Sequence, residues 1–142
     1  MKLDYGSGYN PKKGFKTSDF TGSPMLDFHI SDLRVNCDAA AFDEVNCRNV
    51  IHHIESEKLP RLFDEFTRIL KPSGKLTISD PAEDFFIQNK CLDVLWYRFV
   101  IPRPEIYIGN KFVDFEKFVP KNFVKKSEFR DHSNVEVVFK IV

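Results

Sequence analysis

The 142-residue sequence predicts a single-domain α/β fold (residues 1–142), a mostly parallel sheet with an antiparallel C-terminal strand. Three observations carry that prediction. Short apolar runs bounded by Gly, Pro, Asn and Ser recur along the chain, as strands do. One stretch, Leu59 to Leu70, instead repeats its apolar residues with a helical period. The last residues alternate, with Val135, Val137 and Phe139 on one face. Strands interleaved with at least one strong helix build a layered α/β sheet.

The elements follow in chain order. Lys2 to Tyr5 reads as a strand, broken by Gly6-Ser7-Gly8-Tyr9-Asn10-Pro11. Phe15 to Phe20 forms a second strand, Thr21-Gly22-Ser23-Pro24 a turn, and Met25 to Ile30 a third strand. Phe42 to Val50 reads as a buried strand. Leu59, Leu62, Phe63, Phe66, Ile69 and Leu70 then share one helix face. Ser56 is the expected cap, Glu57 suits the first turn and Pro60 is tolerated there. Lys71-Pro72-Ser73-Gly74 stops the helix, and Lys75 to Ser79 is the next strand. Phe85 to Phe99 and Asp114 to Val119 read as helical, Asn122 to Phe129 and Val135 to Val142 as strands. The last pair, joined around Asn134, suits an antiparallel hairpin on the sheet edge.

Apolar residues make up 42% of the chain, enough for a packed core. Lysine plus arginine and aspartate plus glutamate both number 21, so no broad basic field exists and nucleic acid is not indicated. No run of about 18 apolar residues is present to span a membrane. The start, Met1-Lys2-Leu3-Asp4, lacks the apolar core of a secretory signal. Cys37, Cys47 and Cys91 match no zinc spacing, so no metal is expected and reduced thiols in a cytoplasmic protein are. Fifteen phenylalanines imply either a dense core or an aromatic-lined pocket.

The candidate chemistry begins at Leu3-Asp4-Tyr5-Gly6-Ser7-Gly8. A strand ending in an acid, then Gly-x-Gly, lets a ligand approach the backbone closely. Asp19 closes the following strand, where an acid commonly holds both hydroxyls of a ribose. A dinucleotide site also wants a third glycine and a helix aimed at the pyrophosphate. Here Pro11 takes the glycine's place, the stretch from Gly8 to Phe15 is too short for an ordinary helix, and no Gly-Lys-Ser/Thr string occurs. The loop therefore suits a nucleoside without phosphates, such as S-adenosylmethionine, whose positive groups tolerate Asp4; Lys12 and Lys13 weigh mildly the other way.

With these residues in view, the chain resembles the class I S-adenosylmethionine-dependent methyltransferases, of Rossmann-like fold. Leu3 to Gly8 looks like that family's first motif. Asn10-Pro11-Lys12-Lys13-Gly14-Phe15 before Asp19 resembles a type 11-like subgroup in which a short turn replaces the first helix. Phe42-Asp43-Glu44-Val45 with Val50-Ile51-His52-His53-Ile54 resembles the fourth strand and the segment after it. Arg68-Ile69-Leu70-Lys71-Pro72-Ser73-Gly74-Lys75-Leu76 resembles the turn into the fifth, with Ser73 in place of one glycine.

The resemblance implies S-adenosyl-L-methionine as cofactor and a set of roles. Gly6, Ser7 and Gly8 would cradle the methionine part through backbone, and Asp4 would orient it. Asp19 would bind the ribose, with Phe20 against the adenine. Asp32 and Leu33 would face the adenine, with Asp27 a rival for the acid's role. Cys47, Arg48 and Asn49 would line the pocket after the fourth strand.

Methyl transfer needs a base only for some acceptors. His52 and His53 are the candidates, against a structural role for one and a solvent-facing role for the other. Trp96, Tyr97 and Tyr107 would form the acceptor pocket, or else pack a core or a homodimer interface. Two function classes follow. One is a methyltransferase acting on a small-molecule acceptor. The other is a non-catalytic module or partner subunit that keeps the cofactor pocket.

Overall fold

The computed structural model describes residues 1–88 and 112–142, the side chains of 86–88 aside. Its strands are β1 (Lys2–Tyr5), β2 (Lys16–Asp19), β3 (Phe28–Ser31), β4 (Arg34–Val35), β5 (Phe42–Arg48), β6 (Leu70–Pro81), β7 (Phe123–Arg130) and β8 (Asn134–Ile141). Its α-helices are α1 (Leu59–Ile69) and α2 (Glu83–Gln88). The strands form one sheet in the order β4-β3-β2-β1-β5-β6-β8-β7. The pairs among β1, β2, β3, β5 and β6 are parallel, while β4, β7 and β8 pair antiparallel with their neighbours.

Register explains why the apolar residues sit where they do. Leu3, Val45, Leu76 and Phe139 lie side by side across β1, β5, β6 and β8, and Tyr5, Cys47, Ile78 and Val137 form the next row. All eight are buried. They face α1, whose Leu59, Leu62, Phe63, Phe66 and Ile69 are fully buried. The Tyr5 ring meets Phe66 edge-on at 5.1 Å between centroids.

The alternate residues form a polar face. Lys2, Glu44, Lys75 and Lys140 make one row, and Asp4, Asn46, Thr77 and Val138 the next. Buried Glu44 pairs there with Lys2 at 3.0 Å and Lys75 at 2.6 Å. Parallel sheets normally carry apolar residues on both faces because helices cover both. The connections after β1 and β2 hold no helix here, and the residue types on this face match that absence.

Several expected boundaries move. The third strand begins at Phe28, because Met25 and Leu26 lie in a turn closed by the Leu26 amide on Ser23 O; Met25 is exposed. Ser56 does not cap α1 but opens a 3₁₀ turn, Ser56–Lys58, and the cap residue Lys58 uses no side chain. Asp114 to Val119 contains a 3₁₀ turn at Phe115–Phe118. The sequence reading contained no β4. This two-residue strand follows a hairpin turn in which Asp32 (φ +46°) and Leu33 (φ +69°) are both left-handed; Asp tolerates that backbone, but Leu does not advertise it. Of the helix expected over Phe85 to Phe99, only its start overlaps α2; the rest, with Trp96, Tyr97 and Tyr107, lies outside the described residues.

Candidate functional site

The carboxyl ends of β1, β2, β3 and β5 lie along one edge of the sheet, where ligands of open α/β sheets bind. The chain leaves β1 through Gly6 at φ +69° and Gly8 at φ +53°, a backbone that glycine adopts freely. At Gly6 a Cβ would lie 2.4 Å from Val50 Cγ2, so the loop packs directly on the segment after β5. At Gly8 the same position is open. The Ser7 amide donates to Ser18 O at 2.8 Å, tying the loop to β2.

Asp19, at the end of β2, accepts from the Gly8 amide at 2.6 Å through Oδ2 and from the Phe20 amide at 2.6 Å through Oδ1. Each oxygen keeps a further lone pair. Phe20 is half-buried, and its ring meets Tyr5 edge-on at 5.8 Å. Asp19 and Phe20 thus stand beside the two glycines at this edge.

Asp4 is buried, and both its oxygens serve the loop. Oδ2 accepts from the Lys12 amide at 2.7 Å and Oδ1 from Asn46 Nδ2 at 2.6 Å, while Lys12 Nζ donates to Asn46 Oδ1 at 3.0 Å. Lys12 also sits 4.7 Å from the Phe15 ring centroid. Arg48 donates to Asn10 O at 2.6 Å. The short turn in place of a first helix is therefore clipped at three points. Asn46 was not picked out as a site residue. Its signal was available, since an amide between Val45 and Cys47 in a strand read as buried requires a polar partner.

The other candidates separate. Cys47 is buried among the core residues, and burial holds its thiol well above the ordinary value. Arg48 and Asn49 are exposed at the site edge, Asn49 left-handed at φ +57°. Asp32 pairs with Arg61 at 2.6 Å, and buried Leu33 accepts from Tyr5 Oη at 2.8 Å. Asp27 holds the start of β3 to β2 through Lys16 Nζ at 2.8 Å and the Thr17 amide at 2.9 Å; the Lys16 hydrogen bond, then Thr17, lower its pKa. His52 is buried, its amide and Nδ1 each 3.0 Å from the Asp80 carboxylate. His53 is half-buried, and its ring lies 3.9 Å from that of His52 between centroids, the planes tilted by 43°.

Among the described residues, no helix is long and apolar enough to cross a membrane, and no cluster of His, Cys, Asp or Glu could hold a metal ion. One cavity, of about 520 Å³, lies at the opposite edge of the sheet, lined by Met1, Phe28, Arg34, Cys37 and Ala41 among others.

A family model described as a methyltransferase domain matches residues 10–78. Solved structures share the fold at low identity. A protein from Pyrococcus horikoshii superposes with a TM-score of 0.74 at 18% identity, over 99% of this chain and 82% of its own. A SAM-dependent methyltransferase from Methanosarcina mazei gives 0.67 at 14%, over 99% and 92%. The N-methyltransferase NodS from Bradyrhizobium japonicum, solved with S-adenosyl-L-homocysteine, gives 0.60 at 11%, over 99% and 76%. No curated protein matches the sequence.

Proposed function

We propose that the chain, whose residues 10–78 match a methyltransferase-domain model, is a class I S-adenosylmethionine-dependent methyltransferase that binds S-adenosylmethionine along the β1–β2 edge and methylates a small-molecule acceptor. The observation that carries the reading is the Gly8–Asp19 hydrogen bond between the glycine loop and the acid ending β2. It sets a backbone open to close approach beside a carboxylate with lone pairs to spare.

The residues present fit this cofactor. Gly8 leaves the space of a side chain open. Asp19 suits the two hydroxyl donors of a ribose, and Phe20 supplies a flat apolar surface for a base. The loop offers no helix N-terminus for a pyrophosphate, which disfavours NAD.

S-adenosylmethionine carries a methyl group already activated by its sulfonium, so the protein's task is to position the acceptor and exclude water. Asp19 and Phe20 fix the adenosine end, while Arg48 and Asn49 border the site after β5. His53 is the candidate base for an acceptor that must lose a proton, with the His52 ring against its own and His52 held in turn by Asp80. Trp96, Tyr97 and Tyr107 remain our candidates for the acceptor side. A cytoplasmic, homodimeric enzyme is the form we propose.

Titration calorimetry with S-adenosylhomocysteine and NAD tests the cofactor. We expect micromolar binding of the first and none of the second; tighter binding of NAD would sink the proposal. Incubation with methyl-labelled cofactor and a panel of amines, phenols and carboxylates then separates an enzyme from a binding module. Label that never leaves the cofactor favours the module.

A further inference from the structure

Strand β7 ends the sheet, and among the described residues no strand pairs with its outer edge. Every residue of β7 after Phe123 is exposed, including two apolar ones, Val124 at 38% and Phe129 at 62%. A long exposed edge is a template for another strand unless something blunts it. The register of β7 on β8 has one irregularity. Lys125 pairs with Phe139 and Ser127 with Val138, so Lys126 is an extra residue, a bulge. The bulge changes which side chains share a face. Val124 and Phe129 stand beside Lys140 and Glu136 on the polar face, while Lys125 and Glu128 stand beside Phe139 and Val137 on the face of α1. In an unbroken strand, residues an odd number of positions apart point to opposite faces.

We propose that β7 pairs antiparallel with β7 of a second copy of the chain, around a twofold axis between Lys126 and Ser127. The inference rests on the homodimeric form proposed above and assigns it a surface and a register. A twofold axis that joins two sheets edge to edge stands upright on them, so facing residues must share a face. In this register they do. Val124 meets Phe129 of the second copy on the polar side, and Lys125 meets Glu128 of the second copy on the α1 side. Apolar and opposite-charge pairs across strands both favour pairing. A slip of one residue in either direction sets residues of opposite faces against each other and loses both pairs. Charges on an edge usually keep strands apart. Here Lys125 and Glu128 already attract within the chain at 2.8 Å, and each meets the same opposite charge across the axis. Lys126 lies beside the axis near its own copy, a like-charge meeting that weakens the pairing. The β1–β2 edge lies in the other half of the sheet and stays open.

Cysteine trapping on the full chain tests the register. Val124→Cys and Phe129→Cys are made singly and together. In the double variant each new cysteine faces its complement on the other copy, with Cα atoms about 5 Å apart, within disulfide reach. In either single variant the cysteine lies too far along the strand from its own copy. Mild oxidation should turn most of the double variant into a covalent dimer on a non-reducing gel. The single variants should give no more than the wild type, which controls for the native cysteines. In sedimentation equilibrium, Phe129→Lys should dimerise about tenfold more weakly, since each dimer loses two Val124–Phe129 pairs. Lys126→Ala should dimerise more tightly, and circular dichroism checks that both variants are folded. No excess cross-linking in the double variant overturns the proposal, as does equal cross-linking by Val124→Cys alone. So does a folded Phe129→Lys that dimerises like the wild type. Any of these in a chain that still dimerises leaves the homodimeric form standing with its interface elsewhere. Wild-type protein that stays monomeric at every concentration removes that form, and this inference with it.

Discussion

At Gly6 a single added carbon would meet two obstacles, a left-handed backbone and Val50 at 2.4 Å. Gly6→Ala should therefore cost about 2–5 kcal/mol of stability, strain and overpacking together, read from urea unfolding. A loss within error of zero would mean that the segment at Val50 yields easily. Asp19 carries a different load, since its carboxylate both ties the loop and is the proposed ribose acceptor. Asp19→Ala should weaken S-adenosylhomocysteine binding by about 2–4 kcal/mol in calorimetry. Unaltered affinity in a folded variant would put the ribose elsewhere. Gly6, Gly8 and Asp19 were legible because each residue type has a narrow conformational or chemical use. Asp4 was legible as an important acid, but not as the clip that the structure makes of it. Its partners, the Lys12 amide and Asn46, come from 8 and 42 residues away, and no local pattern encodes such a meeting. Ser73, near the start of β6, stands at φ +63°, a backbone that favours glycine, the residue the family resemblance implied there.

Helix α1 is secured at the level of whole elements by more than its apolar face. Glu65, buried on the helix, accepts from the Val35 amide at 2.8 Å and pairs with Arg68 at 2.7 Å. Arg68 donates onward to Cys37 O at 2.8 Å and Val35 O at 3.0 Å. The hydrogen bonds to Glu65, more than any other influence, push the pKa of the guanidinium still further up. This clamp is what anchors β4 and the turn at Asp32 and Leu33 to the helix. Arg68→Ala leaves the buried Glu65 without its counter-charge and should destabilise the fold by about 3 kcal/mol in a thermal or urea melt. A cost below about 1 kcal/mol would reduce the clamp to a surface pair. The helix was legible because its period places five residues on one stripe. Its cap was not, because a 3₁₀ turn occupies the place where Ser56 promised a side-chain hydrogen bond. Strand β4 escaped notice because two residues leave no periodicity to read, and its pairing depends on a clamp from 30 residues away.

For the molecule as a whole, the division of the sheet into an apolar and a polar face is the organising fact. Alternation in the strands made the apolar face legible, together with the antiparallel C-terminal hairpin. The polar face could be seen only once register placed Lys2, Glu44 and Lys75 in one row. Burial opposes ionisation of Glu44, but Lys75 and Lys2 outweigh it and hold its pKa below the ordinary 4.5. That pairing adds stability above the ordinary value and loses it as pH falls through the lowered one. Glu44→Gln should flatten the decline in melting temperature between about pH 5 and 3, and an unchanged decline would assign acid sensitivity to other carboxylates. The polar face also bears on how stability varies with temperature. Unfolding a 142-residue chain usually raises the heat capacity by about 1.7–2.1 kcal/mol/K, mostly by wetting apolar surface. Here, among the described residues, the rows on one side of the sheet hold lysines, Asp4, Glu44, Asn46 and Thr77, with Val138 the apolar exception, and so offer little apolar surface to wet. Scanning calorimetry should return a value below that range and a correspondingly broad, shallow stability curve, so that cooling and warming from the optimum both erode this fold slowly.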